Sequence, residues 1–151
     1  MQQILVLKGD IYTNAIIVIL VRGYSYEKHK WNFKPMNIDA LYYLDKIRAI
    51  ALALPGVTEA PCFGTPAWYA SKKLIARLWE EGNVLVVRTD EREIWMKKDS
   101  ETFFTTDHYK NYPSMLVALN RVSDKDLIEL ITTAWKSRAA KKLVKEWEKE
   151  N

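Results

Sequence analysis

Three short segments rich in strand-forming residues follow one another in the middle of the chain, and only turn-length spacers separate them. They span residues 67–70, 73–79 and 84–89, with Ser71-Lys72 and residues 80–83 between them. Spacers this short join antiparallel neighbours, because a parallel crossover needs about a dozen residues or more. The sequence therefore predicts a β-meander at the centre of the fold.

Patterns with helical spacing precede and follow the meander. Apolar residues recur at this spacing after Asn37 or Asp39, either of which is a candidate N-cap, until Pro55-Gly56 ends the segment. A second amphipathic pattern opens at Ser123 and continues through Lys141. We therefore predict one helix before the sheet and one long helix at the end of the chain.

A short helix and two further strands are predicted between the meander and the last helix. Asp90 and Glu93 have the spacing of a capping pair for a helix that runs to about Lys98. Residues 103–105 and 115–119 have the composition of strands. The predicted order is α-βββ-α-ββ-α, an α+β fold of two layers in which helices cover one face of an antiparallel sheet.

Residues 1–35 differ in character from the remainder, since apolar β-branched runs give way to a basic, aromatic run. The apolar run at residues 11–21 has about half the length that a membrane helix needs. Positive charge follows this run, whereas it precedes the apolar region of a signal peptide. We therefore expect an appendage outside a single domain of residues 36–151, and no association with a membrane. The alternatives are a hairpin around residues 8–10 and a true start of the protein at Met36.

The charge distribution gives little support for binding a polyanion. The net charge is +4, but residues 1–35 contribute +3 of it and the rest of the chain only +1. An evenly charged body has no general attraction for nucleic acid. The single Cys62 allows no internal disulfide, and His29 and His108 are far apart in sequence. We therefore expect a cytoplasmic protein without a metal or other cofactor.

Four short motifs occur in order along the chain. They are Ala53-Leu54-Pro55-Gly56-Val57-Thr58-Glu59, Phe63-Gly64-Thr65-Pro66-Ala67, Thr106-Asp107-His108-Tyr109 followed by Tyr112-Pro113, and Ala134-Trp135-Lys136-Ser137-Arg138-Ala139. Together they resemble the MmcQ/YjbR family of small bacterial proteins over about residues 39–142. The resemblance implies a compact α+β fold related to the CyaY/frataxin arrangement. It also implies DNA binding through a double-wing shape, and no established reaction.

The chain departs from the family pattern in two places. Residues 1–35 have no counterpart in the family, which supports Met36 as the start. Ala140 stands where the family often has a proline near the end. This substitution lets us expect that the last helix continues through Lys141.

The third motif holds side chains that could carry chemistry. Asp107, His108 and Tyr109 are the candidates for an uncharacterised enzyme, with His108 as a general base or hydrogen-bonding group. Neighbours on an extended strand point to opposite faces, so Asp107 and His108 could interact only across a turn. Turn chemistry accounts for these residue types without catalysis, and nothing places Cys62 near His108 as a nucleophile. We therefore expect a protein that is not an enzyme.

Two-residue turns at Ser71-Lys72 and Glu81-Gly82 would fix the register of the meander. In that register Trp68 pairs with Ile75, Arg77 with Val86 and Trp79 with Val84, while Arg88 lies beside Ile75. All of these residues then share one face of the sheet. We expect the helices to cover the opposite, uniformly apolar face, which carries Leu74, Ala76, Leu78, Leu85 and Val87.

The face that mixes tryptophan and arginine favours binding, because a solvated sheet face is normally polar. For DNA, Trp68 and Trp79 would stack on bases while Arg77 and Arg88 bind phosphates. The same residue types are typical of protein interfaces, so a protein-interaction module or homodimer is the alternative. A third interpretation is that the last helix or residues 1–35 cover this face.

A basic cluster near the end of the chain is the other candidate for contact with phosphates. It comprises Lys136, Arg138, Lys141, Lys142 and Lys145. Positive charge late in a helix also offsets the helix dipole, so a solvated surface is the alternative. The leading hypothesis is a small MmcQ/YjbR-like protein of uncharacterised role that binds DNA.

Overall fold

The computed structural model describes residues 38–79 and 81–151. Within these residues the helices are α1 Ile38–Ala51, α2 Arg92–Lys98, α3 Asp124–Arg138 and α4 Lys141–Glu150. The strands are β1 Val57–Cys62, β2 Thr65–Ala70, β3 Lys73–Leu78, β4 Val84–Arg88, β5 Phe103–Phe104 and β6 Ser114–Ala118. The predictions for residues 1–35 lie outside the described residues.

The strands form one antiparallel sheet in the order β1-β2-β3-β4-β6-β5. This arrangement confirms the predicted α+β fold and its meander. Strand β1 was not predicted, and it contains Pro61, which cannot donate a hydrogen bond to a neighbouring strand. Because β1 lies at an edge of the sheet, the missing donor does not interrupt the pairing.

One apolar core joins the helices to one face of the sheet. Each helix contributes to it, with Ile47 from α1, Trp95 from α2, Trp135 from α3 and Trp147 from α4. The indole Nε1 of Trp135 donates to the carbonyl oxygen of Pro55 at 2.9 Å, so its polar atom is satisfied inside the core. Within the described residues no helix is long and apolar enough to cross a membrane.

The prediction of one long final helix is wrong, because the chain breaks after Arg138. Ala139 and Ala140 adopt extended conformations, with ψ of 159° and 133°, and α4 starts in a new direction. The ammonium of Lys136 consequently lies 2.7 Å from the carboxylate of Glu148. Twelve residues of continuous helix would separate these positions by about 18 Å. The break therefore folds α4 back beside α3.

Helix starts were predicted with mixed success. Ser123 caps α3 as expected, since its Oγ accepts from the backbone N–H of Asp126 at 3.1 Å. The predicted Asp90 capping pair is wrong, because Glu91 occupies the N-cap position of α2 without a side-chain cap. Asp39 lies inside the first turn of α1, and Asn37 is outside the described residues.

The register of the sheet agrees with the prediction on one side of β3 and differs on the other. Arg77 lies opposite Val86, and the Trp79 N–H donates to the Val84 carbonyl at 2.8 Å. On the β2 side the register shifts by one residue, so Trp68 lies opposite Ala76 and not opposite Ile75. Because of this bulge, the pairing of β3 with β2 is shifted by one residue, while its pairing with β4 is not.

Because of the bulge, Trp68 and Leu74 exchange faces relative to the prediction, and Ile75, which was predicted on the face of Arg77, packs in the core. Trp68 is fully buried in the core beneath the helices, together with Ala76. Leu74 was predicted to lie under the helices, but it lines a cleft elsewhere on the sheet. The remaining predicted core positions on β3 and β4 are correct: Ala76, Leu78, Leu85 and Val87.

Candidate functional site

A cleft of about 550 Å³ lies over the sheet. We call it the arginine cleft, because Arg77, Arg88 and Arg138 are among the residues that line it. The others are Phe63, Lys73, Leu74, Ile75, Val86, His108, Tyr109, Tyr112 and Ser114. None of the described lining residues is a carboxylate. The cleft therefore combines positive charge with aromatic and apolar surface.

Strand alternation explains how the sheet supplies the floor of the cleft. Arg77 pairs with Val86, and Arg88 pairs with Ser114 two positions further along β4. These residues point away from the core, because successive side chains on a strand face opposite sides and the intervening Val87 is buried beneath the helices. From Ala76 onward β3, and β4 throughout, thus serve the core and the cleft with alternate residues. At the bulge, the consecutive residues Leu74 and Ile75 both line the cleft.

Arg77 holds two walls of the cleft together. It is only 8% exposed, and its Nη2 donates to the phenolic oxygen of Tyr109 at 2.9 Å. Its Nη1 donates to Oγ1 of Thr65 at 3.2 Å, and that hydroxyl donates in turn to the Cys62 carbonyl at 2.9 Å. This guanidinium therefore fixes the position of Tyr109 relative to the β1–β2 hairpin.

Arg88 and Arg138 have unsatisfied polar atoms beside the cleft. In the described part of the chain neither Nε atom has a hydrogen-bond partner, although both atoms are buried. Burial lowers the pKa of Arg88 below its ordinary value, and the positive charge of Arg138 lowers it further, while the negative charge of Asp90 partly opposes both. Two cations held near each other in a partly buried site favour an anion between or beside them.

Arg92, at the start of α2, holds the segment that forms the third wall. Its Nη1 donates to the carbonyl oxygens of Tyr109 at 3.3 Å and Tyr112 at 3.1 Å. Its Nη2 donates to the carbonyl oxygen of Lys110 at 3.0 Å. Turns in the segment add bonds from the Tyr109 N–H to the Thr106 carbonyl and from the Tyr112 N–H to the Tyr109 carbonyl. One side chain thus orders a loop that has no regular secondary structure.

This loop presents an aromatic wall to the cleft. The rings of His108 and Tyr112 are stacked, with an interplanar angle of 30° and centroids 5.9 Å apart. Tyr109 contacts His108 edge-on at 4.8 Å and Trp79 at 6.0 Å. His108 is exposed and faces open space at the cleft, as the enzyme hypothesis requires.

On another wall, Phe63 stands in the turn between β1 and β2. Its ring centroid is 5.6 Å from Cζ of Arg77, and the side chain is 87% exposed. Its φ is +50°, and that of Gly64 is +76°. Phe63 therefore borders the cleft in a backbone conformation that favours glycine or asparagine.

The structure brings together five of the predicted candidate residues. Arg77, Arg88, His108, Tyr109 and Arg138 all line the arginine cleft, although the sequence places them in four separate segments. The predicted pairing of Arg77 and Arg88 on one sheet face is correct. The cleft therefore joins the sheet face to part of the third motif and to the end of α3.

The other candidates lie elsewhere. Trp68 is in the core and is not available for stacking, while Trp79 is half-buried behind Tyr109. Asp107 is exposed but does not line the cleft, so the structure does not pair it with His108 there. The predicted cover by the last helix is wrong, because α3 packs on the core side and only Arg138 reaches the cleft.

The basic cluster near the end of the chain is divided by the break between α3 and α4. Lys136 pairs with Glu148, and Lys142 lies 3.9 Å from Glu146. Lys141 and Lys142 are exposed on α4. These lysines do not line the cleft, so Arg138 is the member of the cluster that the geometry supports as a binding residue.

Sequence reasoning missed four residues that shape the site: Phe63, Lys73, Arg92 and Tyr112. The position of Phe63 could have been predicted, because Phe63-Gly64 fits a two-residue hairpin turn. Phenylalanine is an unfavourable first residue of such a turn. The role of Arg92 could not have been predicted, because its partners are backbone carbonyls about 17 to 20 positions away.

Among the described residues, the cleft presents cationic groups and shows no acid–base pair. Catalysis by His108 as a base would benefit from a positioned partner that orients the imidazole. Its ring contacts in the described residues are with the tyrosines Tyr109 and Tyr112. Guanidinium groups, which line the same cleft, are able in general to bind a phosphate or a carboxylate.

Comparisons with known proteins give a family and uncharacterised relatives. The sequence model of the YjbR family matches residues 52–137, more than half of the chain. An uncharacterized protein of Mycobacterium tuberculosis is 36% identical over 66 residues, which cover 42% of this chain and 51% of that protein. An uncharacterized protein of Mycobacterium bovis matches with the same figures. The match thus spans about half the length of these curated relatives, and no solved structure matches the chain.

Proposed function

This chain belongs to the YjbR family, and we propose that it is a non-enzymatic protein that binds DNA through the arginine cleft. The observation that carries the proposal is the pair of buried, unpartnered Nε atoms on Arg88 and Arg138, beside a cleft whose described lining has no carboxylate. An anion bound there supplies the missing hydrogen-bond acceptor and offsets the repulsion that lowers the pKa of Arg88.

A DNA phosphate is one of the anions that these arginine groups can bind. Arginine binds phosphate with two parallel N–H···O bonds and stays charged at any physiological pH. The neighbouring aromatic residues His108 and Tyr112 supply surfaces on which bases can stack. The cleft thus offers both kinds of contact that a DNA strand makes.

The charge distribution sets the expected strength of the salt effect. Because the chain outside residues 1–35 has a net charge of only +1, the attraction of that part of the chain for DNA has to come from the cleft. For a single strand, log K falls with log salt by about 0.7 for each neutralised phosphate. Contact of the two arginines with one phosphate therefore predicts a slope of about −0.7, far shallower than that of a protein with a broad basic surface.

The test is fluorescence anisotropy with a labelled single-stranded oligonucleotide over a series of salt concentrations. Arg88→Gln and Arg138→Gln should each weaken binding about tenfold, since each removes one charge-assisted contact. Arg121→Gln is the matched control, because Arg121 pairs with Glu101 and does not line the cleft.

Two results would reject the proposal. One is the absence of oligonucleotide binding by the wild-type protein at low salt. The other is an equal loss of affinity in the Arg121→Gln control, which would show that binding reflects diffuse charge and not the arginine cleft.

A further inference from the structure

Phe63 occupies a position in the β1–β2 hairpin that a phenylalanine should avoid. Cys62 pairs with Thr65, so Phe63 and Gly64 are the two residues of the turn. Positive φ at both, +50° and +76°, is the signature of a type I′ turn. Asparagine, aspartate or glycine is preferred there, because a bulky side chain is strained in the left-handed region.

Packing does not explain this choice of residue. The Phe63 side chain is 87% exposed, so it contributes little buried apolar area to the fold. Ser71 and Lys72, in the turn between β2 and β3, also have positive φ, so the conformation alone does not mark a site. Phe63 differs from them in carrying an exposed aromatic ring beside the cleft. The ring borders the arginine cleft, with its centroid 5.6 Å from Cζ of Arg77.

A second aromatic surface borders the same cleft. The stacked rings of His108 and Tyr112 belong to the loop that Arg92 holds by backbone carbonyls. Tyr112 is 54% exposed, so part of its ring is open to a ligand. A planar group inside the cleft thus has an exposed phenylalanine and an ordered imidazole–phenol pair among its walls.

The size of the cleft suits one planar group and not a double helix. Its volume of about 550 Å³ is within the range of small-ligand sites, about 300–1,000 Å³. In a duplex the bases are stacked and paired, so a duplex offers mainly phosphates to aromatic side chains outside its grooves. An unpaired strand can turn a base outward and place it on aromatic rings.

We infer that the arginine cleft binds one unstacked base of single-stranded DNA, with Phe63 and the His108–Tyr112 pair contacting the base and Arg88 and Arg138 contacting the adjacent phosphate. This inference rests on the proposed function and adds to it the state of the DNA and the residues that receive the base. It also explains the strained turn, because asparagine at position 63 would suit the backbone but offer no ring.

The experiment compares the wild-type protein with Phe63→Asn and Phe63→Tyr, on a single-stranded oligonucleotide and on an abasic strand with the same number of phosphates. Phe63→Asn should raise Tm by a few degrees, since asparagine is favoured in the turn. The same change should weaken binding of the base-containing strand about tenfold. Phe63→Tyr keeps a ring and should bind that strand within about twofold of wild type.

The abasic strand separates this inference from the proposed function. It should still bind through its phosphates, more weakly than the base-containing strand, and Phe63→Asn should not change its affinity. Equal affinity of the wild-type protein for the two strands, with no effect of Phe63→Asn, would overturn the inference and leave DNA binding intact. A failure of both strands to bind would reject DNA binding, and the inference with it.

A duplex of the same sequence gives a further comparison. It should bind more weakly than the single strand, because its bases are not free to enter the cleft. A duplex that binds as tightly as the single strand would overturn the inference. So would a lower Tm of Phe63→Asn, because the Phe63 ring would then be needed for the fold.

Discussion

The two faces of the sheet are built from alternate residues of the same strands, yet they have opposite properties. On the helix side, Ala76, Leu85 and Val87 are buried in one apolar core. On the other side, Arg77 and Arg88 line a cleft, and the Nε atom of Arg88 has no hydrogen-bond partner among the described residues. One face therefore stabilises the fold by apolar burial, while the other carries arginine side chains, of which Arg77 is hydrogen-bonded to Thr65 and Tyr109.

The bulge between Trp68 and Tyr69 decides which residues belong to which face. Without it, Trp68 would pair with Ile75 and stand on the same face as Arg77. With it, Trp68 packs into the core and Leu74 lines the cleft. A shift of one residue thus determines the composition of the candidate site.

The strongest test of the comparison is a large-to-small substitution on the helix side. Trp135 is fully buried, and its ring packs edge-on against Trp147 at 5.5 Å. Trp135→Ala should lower the free energy of unfolding by about 3–5 kcal/mol, because it opens a cavity in the core. Chemical denaturation measures the change, with Trp147→Ala, at a half-buried position, as the milder control. A loss below about 1 kcal/mol would mean that the core tolerates the cavity, contrary to the comparison.

The next largest effect concerns the loop that forms the aromatic wall. Arg92→Gln removes the bonds to the carbonyls of Tyr109, Lys110 and Tyr112. Hydrogen bonds from a charged donor are worth about 1.5–3 kcal/mol each in favourable cases, so a loss of about 2 kcal/mol is expected after partial replacement by water. Hydrogen exchange should be faster at the Tyr109 and Tyr112 amides, while the exchange rates of the α3 amides should match those of the wild type. Unchanged protection of the loop would show that its turns suffice without Arg92.

Much of the fold follows from local patterns in the sequence. Turn-length spacers predicted the meander, and the Ser123 cap predicted the start of α3. The break after Arg138 has no local signal, because alanine is a good helix former and only the packing of α4 against α3 favours the extended Ala139 and Ala140. The edge strand β1 was missed because its sequence does not alternate between apolar and polar residues.

The sequence predicted the types of residue in the candidate site better than it predicted which residues lie together there. Arg77 and Arg88 share a face because of strand period alone, and this was predicted. Arg138 joins them from a distant segment, which only the tertiary fold determines. Trp68 was misplaced because a bulge depends on packing around both strands and leaves little trace in a single sequence.

A substitution on the cleft side should raise the free energy of unfolding, whereas one in the core should lower it. Arg88 is partly buried, and its Nε lacks a partner in the described residues. Burial and then the charge of Arg138 lower its pKa, and the charge of Asp90 only partly offsets them. Arg88→Met keeps most of the side-chain volume and removes this unfavourable charge, so stability should rise by about 1 kcal/mol. Thermal and chemical denaturation without a ligand measure the gain. A clear loss of stability would show that Arg88 supports the fold and would weaken the contrast between the faces.

The smallest expected effect is at the edge of the helix side, where α1 meets β1. Arg48 donates from Nη2 to Oε1 of Glu59 at 2.6 Å and from Nε to Oε2 at 2.9 Å. This bond lowers the pKa of Glu59 from its ordinary value of 4.5. Because the pair is partly exposed to solvent, Glu59→Gln should lower the free energy of unfolding by only about 0.5 kcal/mol at pH 7.

The pH dependence identifies this contribution as electrostatic. A carboxylate whose pKa is lowered in the folded state stabilises the fold above its unfolded pKa, and the stabilisation is lost as the pH falls through the folded pKa. The difference between wild type and Glu59→Gln should therefore be constant near neutral pH and disappear on acidification below 4.5. Denaturation curves of both proteins at several pH values measure it. If the difference in the free energy of unfolding persists in acid, Glu59 stabilises the fold by packing and not by its charge. Even the edge of the helix side would then depend on packing more than on charge.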